Sequence, residues 1–165
     1  MDRIKRHFQN LPSQEAVARM FLKYGISVKD GSAFCGNVEQ SDTALARAIG
    51  VDRRVVRSTI NRIMAVPDLL SIYSKLQSML LLSDAAGELG CSCIEIVPTD
   101  ARMPGIMAGV ISVLSDAGIS IRQAVVSDPQ DYVGSHLIIV SDGEIPGEIM
   151  IEIRKCRGVD SVILR

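Results

Sequence analysis

The chain has 165 residues and a formal net charge of −1, and 47% of its residues are hydrophobic although only 4% are aromatic and tryptophan is absent. This length allows one domain or two small ones, and this composition predicts an aliphatic core. No run approaches the roughly 20 apolar residues of a membrane span. The charged residues 1–10 lack the apolar core of a signal peptide, so we expect a cytoplasmic protein without a membrane partner.

Charge is divided unevenly along the chain. Residues 1–90 contain 12 Lys and Arg against 9 Asp and Glu, whereas residues 91–165 contain 6 against 10. A basic first half and an acidic second half predict two units with different partners.

The four cysteines form no CxxC pair; they are Cys35, Cys91, Cys93 and Cys156. The thiols of Cys91 and Cys93 could contact a metal. Alternation along a strand would also point both thiols into a core, and buried, reduced thiols are the favoured interpretation. The two histidines, His7 and His136, are too few and too scattered for a histidine-based site. We therefore predict no metal and no cofactor.

The first predicted element is a helix over residues 13–24, where apolar residues recur at helical spacing. Ser13 is placed to cap its start, and Gly25 is placed to end it in a left-handed conformation. Asp30 and Gly31 then separate two short alternating runs. Asp-Gly suits a tight turn in which both central residues take positive φ, so a small hairpin is predicted here.

Three further helices follow in close succession. Ser41 or Asp42 caps the first of them, which Gly50 ends. Asp52 caps the second helix. Pro67 begins the third, where apolar residues again recur at helical spacing.

Residues 80–91 contain two glycines and are too apolar for a flexible linker. Ser83 is placed to cap a one-turn helix within this segment. We place the domain boundary here, with a first domain over residues 1–82 and a second over residues 91–165. The segment is expected to pack on one domain or on both.

From residue 92 onward, strands and helices alternate. Strands are predicted over residues 92–98, 119–127, 135–141 and 159–165, helices over residues 105–117 and 146–157, and a loop over residues 127–134. This order, βαββαβ, predicts one antiparallel sheet with both helices on one face. The fold class is therefore α+β, with a mainly helical first domain that carries a small hairpin and a ferredoxin-like second domain.

Residues 44–63 have the pattern of two helices joined by a tight turn. The residues that would fill the angle between these helices are Leu45, Ala46, Gly50, Val51, Val56, Ile60 and Ile63. The segment thereby resembles the helix-turn-helix family of DNA-binding domains, in which the second helix enters the major groove. The resemblance implies double-stranded DNA as a partner, contacted by the outward residues Arg53, Arg54, Arg57, Ser58, Asn61 and Arg62. The alternative is a helical interaction domain with a solvated basic face.

Two stretches of the second half are "MPGIMAGVISVLSDAGISI", residues 103–121, and "IRKCRGVDSVIL", residues 153–164. The first combines a Pro-Gly turn, an amphipathic helix and an Ala-Gly stop, and the second a helix, a Gly-Val turn and a strand. Both closely resemble the ACT domain, the small regulatory fold of amino-acid metabolism. The resemblance implies a small amino acid bound at the interface between paired domains. The residues that it implies for this site are Asp100, Arg102, Met103, Pro104, Gly105, Ile106 and Ser120, the last standing where the family often has Asn.

The Pro-Gly turn also has a physical rationale of its own. Gly105 lacks a Cβ and lets a ligand approach the backbone, and Pro104 fixes φ ahead of it. The free N–H groups of Ile106, Met107 and Ala108, together with the helix dipole, favour an anionic group such as an α-carboxylate. The simpler alternative is that Pro-Gly only makes the tight turn that the fold needs.

Together the resemblances imply an amino-acid-responsive regulator that joins a helix-turn-helix to an ACT domain. Gly109 inside a helix, and sheet edges expected at residues 136–141 and 161–165, predict a homodimer or a higher homo-oligomer. The alternative is a ligand-sensing subunit that binds a metabolic enzyme and not DNA. An enzyme is not expected, because the aspartates of the second half lie at turns and helix ends, where this residue is common. These aspartates are Asp100, Asp116, Asp128, Asp131 and Asp142.

Overall fold

The computed structural model describes residues 2–127 and 135–165. The predicted loop, with Asp128 and Asp131, therefore lies outside the described residues except for Ser127. No helix within the described ranges is both long and apolar enough to cross a membrane.

Two compact units make up the chain, residues 1–80 and residues 81–165. Residues 81–90 of the predicted boundary segment thus belong to the second unit. This division sharpens the asymmetry of charge: the first unit has 12 Lys and Arg against 7 Asp and Glu, and the second has 6 against 12.

The first unit is mainly helical and contains a small sheet. Its helices are α1 (Asp2–Arg6), α2 (Pro12–Lys23), α3 (Asp42–Ile49), α4 (Arg53–Ala65) and α5 (Pro67–Tyr73). Its strands are β1 (Ser27–Lys29), β2 (Ser32–Cys35) and β3 (Val38–Gln40), which form an antiparallel sheet in the order β1-β2-β3.

Capping at α3 and α4 confirms the sequence prediction. The Ser41 hydroxyl accepts from the Ala44 N–H at 3.2 Å, and the Asp52 carboxylate accepts from the Arg54 N–H at 2.7 Å. Gly50 ends α3 at φ +77°. The bonds to Ser41 and Asp52 each satisfy a backbone N–H that the helix itself leaves without a partner.

The predicted cap of α2 is wrong. Helix α2 begins one residue earlier than expected, at Pro12, and Ser13 lies inside its first turn. Leu11 is the N-cap residue and makes no side-chain capping bond. Proline at the first helical position has a suitable φ and lacks the N–H that would need a cap, and this preference prevails over that of the serine.

The predicted hairpin turn is confirmed. Asp30 and Gly31 both take positive φ, +50° and +77°, and join β1 to β2. Strand β3 was not predicted, because only Val38 in it is apolar and that side chain is 65% exposed. This strand forms through backbone pairing with β2, which leaves no hydrophobic pattern in the sequence.

The core of the first unit is not purely aliphatic, which corrects the expectation from composition. Phe8, Phe21 and Tyr73 are fully buried among aliphatic side chains. The Tyr73 hydroxyl donates to the Ala18 carbonyl at 2.9 Å. Burial raises the pKa of Tyr73, with a smaller opposing effect from Arg19, so the hydroxyl stays protonated and remains a donor.

The second unit has the predicted βαββαβ order. Two 3₁₀ turns (Ser83–Ala85 and Gly87–Leu89) precede β4 (Cys93–Pro98), α6 (Ile106–Asp116), β5 (Ile121–Val126), β6 (Leu137–Ser141), α7 (Gly147–Arg154) and β7 (Val159–Leu164). The strands form one antiparallel sheet in the order β5-β6-β4-β7. These features confirm the α+β class and the ferredoxin-like topology.

The two faces of this sheet are covered differently. Ile94 and Ile96 of β4 face α6 and α7, where they pack with Leu114 and Ile153. The opposite side, the second face, carries Cys93, which packs with residues 82–91. The segment predicted as a boundary is therefore part of the second unit and covers one end of its sheet.

The predicted helix cap in this segment is wrong. Ser83 lies inside the first 3₁₀ turn, with Leu82 as the residue before it, and donates its hydroxyl to the Asp84 carboxylate at 3.2 Å. Two consecutive 3₁₀ turns replace the expected single turn. The short polar side chain bonds locally and does not cap the turn.

The cysteines are free thiols, as preferred from the sequence. Cys91 and Cys93 are both buried, and burial raises the pKa of the Cys93 thiol against a smaller opposing effect of Arg165. Burial also raises the pKa of Cys156. Among the described residues no cluster of three or more His, Cys, Asp or Glu could hold a metal ion.

The sheet edges differ from those expected. Residues 136–141 were expected to form a sheet edge, but β6 lies between β5 and β4. The edges are β5 and β7, so only the expectation for residues 161–165 is met. Strand order depends on contacts that are distant in sequence, and the pattern within one strand does not encode it.

A charged group lies in the middle of the second face. Glu95 of β4 is only 4% exposed, and directly beside it in the sheet are Ile138 and Ile163. Arg165 donates through Nε and Nη2 to the Glu95 Oε2 atom, at 2.5 Å each. His136 Nδ1 lies against the other carboxylate oxygen. The buried carboxylate is therefore paired, as a low-dielectric setting requires.

Gly109 leads to a test of packing between the two helices of the second unit. A Cβ added there would meet only Cys156, at 3.8 Å from Cβ and 3.9 Å from Sγ, which are ordinary contacts. We predict that Gly109→Ala raises the free energy of unfolding by about 1 kcal/mol, because alanine has the higher helix propensity. Urea unfolding followed by circular dichroism measures the change.

The matched control is Gly158→Ala, where glycine has φ +85° and an added Cβ would lie 2.8 Å from both Ile106 Cγ1 and Met103 Sδ. This change should lower the free energy of unfolding by at least about 1–2 kcal/mol, the cost of a left-handed conformation. Destabilisation by Gly109→Ala would contradict the prediction.

Candidate functional site

The loop before α6 is shaped by its own backbone and by Asp100. Asp100 Oδ1 accepts from the Arg102 N–H at 2.9 Å, and the Asp100 carbonyl accepts from the Met103 N–H at 3.0 Å. Asp100, Arg102 and Pro104 are exposed. Asp100 therefore has a structural role in the turn, and only one of its carboxylate oxygens takes part in it.

Gly105 starts α6 in a conformation that other residues resist. Its φ is +92°, and a Cβ added there would have no atom within 4 Å. No side chain caps this start of α6. The turn thus needs glycine for its backbone angle, and the space beside it is open to a ligand.

Gly158 holds the same loop from behind. Its carbonyl accepts from the Thr99 N–H at 2.9 Å, and its Cα lies so close to Met103 and Ile106 that a Cβ would be 2.8 Å from both side chains. The turn between α7 and β7 therefore supports the loop between β4 and α6. The sequence indicates the Gly-Val turn, but the closeness of its glycine to the loop depends on tertiary packing and was missed.

An apolar cavity of about 150 Å³ opens beside the first turn of α6. Three of the predicted site residues line it: Met103, Gly105 and Ile106. The other lining residues are Ile96, Pro98, Ala101, Met107, Val126, Ser127, Ser135, His136 and Leu137. Most of these come from strand ends that meet only in the folded sheet, so sequence reasoning missed them.

Ser120 is not brought to this loop within one chain. It precedes β5, at the opposite end of α6 from Gly105, and the 11 residues of that helix separate them by roughly 16 Å at 1.5 Å per residue. The Ser120 carbonyl accepts from the Asp142 N–H at 2.9 Å. A contact between Ser120 and a ligand at the loop remains a prediction that requires a second chain.

The basic helix α4 divides the six predicted DNA-contacting residues into two sets. Arg53, Arg54 and Asn61 have exposed side chains, and none of the three has a side-chain partner among the described residues. They line an open groove that also contains the acidic residues Glu39 and Asp42. This first set is available to a partner.

Arg57 belongs to the second set, although it is 48% exposed. Its Nε and Nη2 atoms donate to Asp42 Oδ2 at 2.7 Å each, and Nη1 donates to the Gly31 carbonyl at 2.6 Å. Arg57 thereby joins α4 to the start of α3 and to the hairpin turn. Its guanidinium is committed to the unit and would have to exchange partners to reach a base.

Ser58 and Arg62 are also engaged within the unit. Gln14 of α2 donates to the Ser58 hydroxyl at 3.1 Å and accepts from Arg62 Nε at 3.1 Å. Arg62 Nη1 also donates to the His7 carbonyl at 3.2 Å. Both side chains fix α4 against α2, through partners more than 40 residues away in sequence.

Comparison with known proteins gives limited information. No family model matches the chain, and no curated protein matches it. The leucine response regulatory protein LrpA of Mycobacterium tuberculosis is similar in structure, with 15% identity, a TM-score of 0.30 and coverage of 93% of this chain and 88% of that one. The protein PH0061 shows 13% identity, a TM-score of 0.29 and coverage of 92% and 88%. Values this low establish neither family nor function.

The division of the basic residues can be tested by stability. We predict that Arg57→Ala lowers the free energy of unfolding of the first unit by about 0.5–1 kcal/mol, since it removes a half-exposed ion pair and a hydrogen bond to a carbonyl. Arg54→Ala should leave stability within about 0.5 kcal/mol. Urea unfolding of both variants provides the comparison.

The pairing itself is isolated by a double-mutant cycle with Asp42→Ala. A coupling energy near zero between positions 42 and 57, or equal effects of Arg57→Ala and Arg54→Ala, would contradict the assigned role of Arg57.

Proposed function

We infer that the chain is an amino-acid-responsive regulator of amino-acid metabolism, which binds a small amino acid at the loop before α6 and DNA through α4. The observation that carries this inference is the open, uncapped helix start at Gly105 beside an apolar cavity, in a chain whose other unit exposes Arg53 and Arg54. The first site suits a ligand with an acidic and an apolar part. The second suits phosphates and base edges.

The ligand's α-carboxylate would lie at the first N–H groups of α6. Gly105 leaves room for it, and the exposed guanidinium of Arg102 adds a positive charge nearby. The carboxylate oxygen of Asp100 that does not bond the loop can accept from the ligand's ammonium group. The loop thus offers complementary groups for both charges of an amino acid.

In the DNA complex, α4 would lie in the major groove. Arg53 and Arg54, near the start of the helix, meet phosphates or the first bases, and Asn61, two turns on, reaches base edges. Arg57, Ser58 and Arg62 hold the helix in place. If Arg57 contacts a base, it must first leave Asp42.

A homodimer or higher homo-oligomer would connect the two activities. The edges β5 and β7 and the second face of the sheet are surfaces on which two copies of residues 81–165 could pair. Pairing would also bring Ser120 of a second chain within reach of the loop. Ligand binding would then change the spacing of two α4 helices, and DNA binding would change ligand affinity by the same factor.

The second candidate is a ligand-sensing subunit that binds a metabolic enzyme and not DNA. The groove beside α4 favours it, because Glu39 and Asp42 would repel phosphates and Asp42 already occupies Arg57. In this case the exposed arginines of α4 would pair with acidic groups of a protein.

The ligand site is tested by Gly105→Val. A thermal-shift screen of the twenty amino acids first identifies the ligand, because binding to the native state raises the Tm. In calorimetry, Gly105→Val should show no binding heat, since a branched side chain fills the open space and resists φ +92°.

The matched control is Gly36→Val in the turn between β2 and β3 of the first unit, where glycine has φ +59° and equally open surroundings. This variant carries a similar backbone strain but should keep the affinity. Equal affinity of Gly105→Val and the unmodified protein would refute the assignment of the loop.

DNA binding is tested by salt titration with fluorescent fragments of genomic DNA, with and without the ligand. Arg53→Ala should reduce the slope of log affinity against log salt by about 1, the effect of one lost phosphate contact. Asn61→Ala should instead relax the sequence preference in a binding selection. Arg19→Ala on α2 is the control. Arg19 pairs with Glu15 at 2.8 Å and lies among residues of α1, α2 and α5, not of α4.

No binding at low salt by the unmodified protein, in any ligand state, would exclude the DNA-binding role. The enzyme-binding candidate would then be tested by co-purification with biosynthetic enzymes.

A further inference from the structure

The apolar cavity beside the first turn of α6 has a chemistry that selects among amino acids. We propose that it takes the ligand's side chain and restricts the ligand to uncharged aliphatic α-amino acids of about leucine size. This inference rests on the proposed function, since it assumes that an amino acid binds at the adjoining loop.

Within residues 2–127 and 135–165, the lining of the cavity contains no Asp, Glu, Lys or Arg among its twelve residues. Its floor is formed by Ile96 and Leu137, which are 0% and 5% exposed and belong to the core of the second unit. Met107 and Val126 form its exposed rim. A charged side chain would lose its hydration here without compensation.

Among the lining residues that the structure describes, His136 is the one titratable side chain, and it already lies against Glu95. From the sheet, Glu95 is also bonded by Arg165, so the carboxylate faces two basic groups. A ligand that recruited His136 would leave Glu95 with a single partner. The imidazole is thus directed toward the second face of the sheet, and the other polar side chains in the described lining are the uncharged Ser127 and Ser135.

The size of the cavity favours a side chain of moderate volume. At about 150 Å³ it matches cavities that admit a group of about the size of benzene. The side chains of leucine, isoleucine, valine and methionine fit this volume with room to adjust, whereas the larger and rigid indole ring is a poorer fit. Met103 and Met107 have flexible, polarisable side chains and can adapt to small differences of shape among these ligands.

The cavity and the loop share walls, so occupation of one affects the other. Met103 and Ile106 line the cavity and also rest on Gly158, while Gly105 is both a lining residue and the helix start. An aliphatic side chain would therefore pack on the two residues that hold the loop in place. Ligand selectivity and loop position arise from the same contacts.

The test uses the full chain with ¹³C-labelled methionine methyl groups observed by NMR. Met103 and Met107 line the cavity, whereas Met20 and Met64 pack on the core of the first unit and serve as internal references. The signals are assigned by single Met→Leu substitutions. The ligands are leucine, isoleucine, valine, methionine, alanine, serine, aspartate, lysine and tryptophan, and each is also measured by thermal shift.

Leucine-sized ligands should shift the methyl signals of Met103 and Met107 and leave those of Met20 and Met64 unchanged. Affinity should fall about tenfold for each methylene removed from the ligand. Aspartate and lysine should not bind, and tryptophan should bind more weakly than leucine. Val126→Phe, which narrows the cavity at its rim, should weaken leucine binding about tenfold or more. Val38→Phe on β3 of the first unit, where the valine is similarly exposed, should not.

Failure of this inference is distinguishable from failure of the proposed function. A ligand that raises the Tm without shifting the Met103 and Met107 signals overturns the cavity assignment and leaves amino-acid binding intact. Preferred binding of a charged or polar amino acid overturns it as well, as does unchanged leucine affinity in Val126→Phe. If no amino acid raises the Tm or shifts a signal, the proposed ligand function fails and this inference fails with it.

Discussion

The close approach between Gly158 and the loop before α6 is the constraint on which the second unit depends. Only a hydrogen atom fits between the Gly158 Cα and the side chains of Met103 and Ile106. The same glycine takes a left-handed φ and accepts the Thr99 N–H. Gly158 thus connects the turn between α7 and β7 with the loop between β4 and α6. This contact holds the helix start at Gly105 at a fixed place above the core.

In the first unit, the position of α4 is fixed by some of its polar side chains. In the sequence these side chains look like part of one uniform basic face. Arg57 and Arg62 tie α4 to four other segments, while Arg53 and Arg54 stay exposed. If α4 binds a partner, the bonds of Arg57 and Arg62 hold the helix in place beforehand. Less conformational entropy is then lost on binding. The arginines are thus chemically alike but differ in role, and only their partners distinguish them.

Sequence alone predicted what depends on local chemistry. The Asp30-Gly31 turn and the caps Ser41 and Asp52 follow from short-range preferences, and so does the order βαββαβ. It failed where two local preferences compete or where a strand has no hydrophobic pattern: Pro12 displaced the cap expected at Ser13, and strand β3 forms by backbone pairing alone. The candidate loop was found from its Pro-Gly turn. The cavity was not, because β4, α6, β5 and β6 all contribute to its walls.

The Glu95 group on the second face also bears on aggregation. Two isoleucines flank this carboxylate in the sheet, and such an apolar strip would otherwise adhere to any similar surface. Arg165, which pairs with Glu95, is 47% exposed. A protein surface that covered this face without bonding Arg165 would remove the hydration of the guanidinium, which costs free energy. A surface that supplies an acceptor for the remaining N–H groups of Arg165 avoids that cost. The second face therefore disfavours unspecific contacts and favours a partner surface that carries a hydrogen-bond acceptor opposite Arg165.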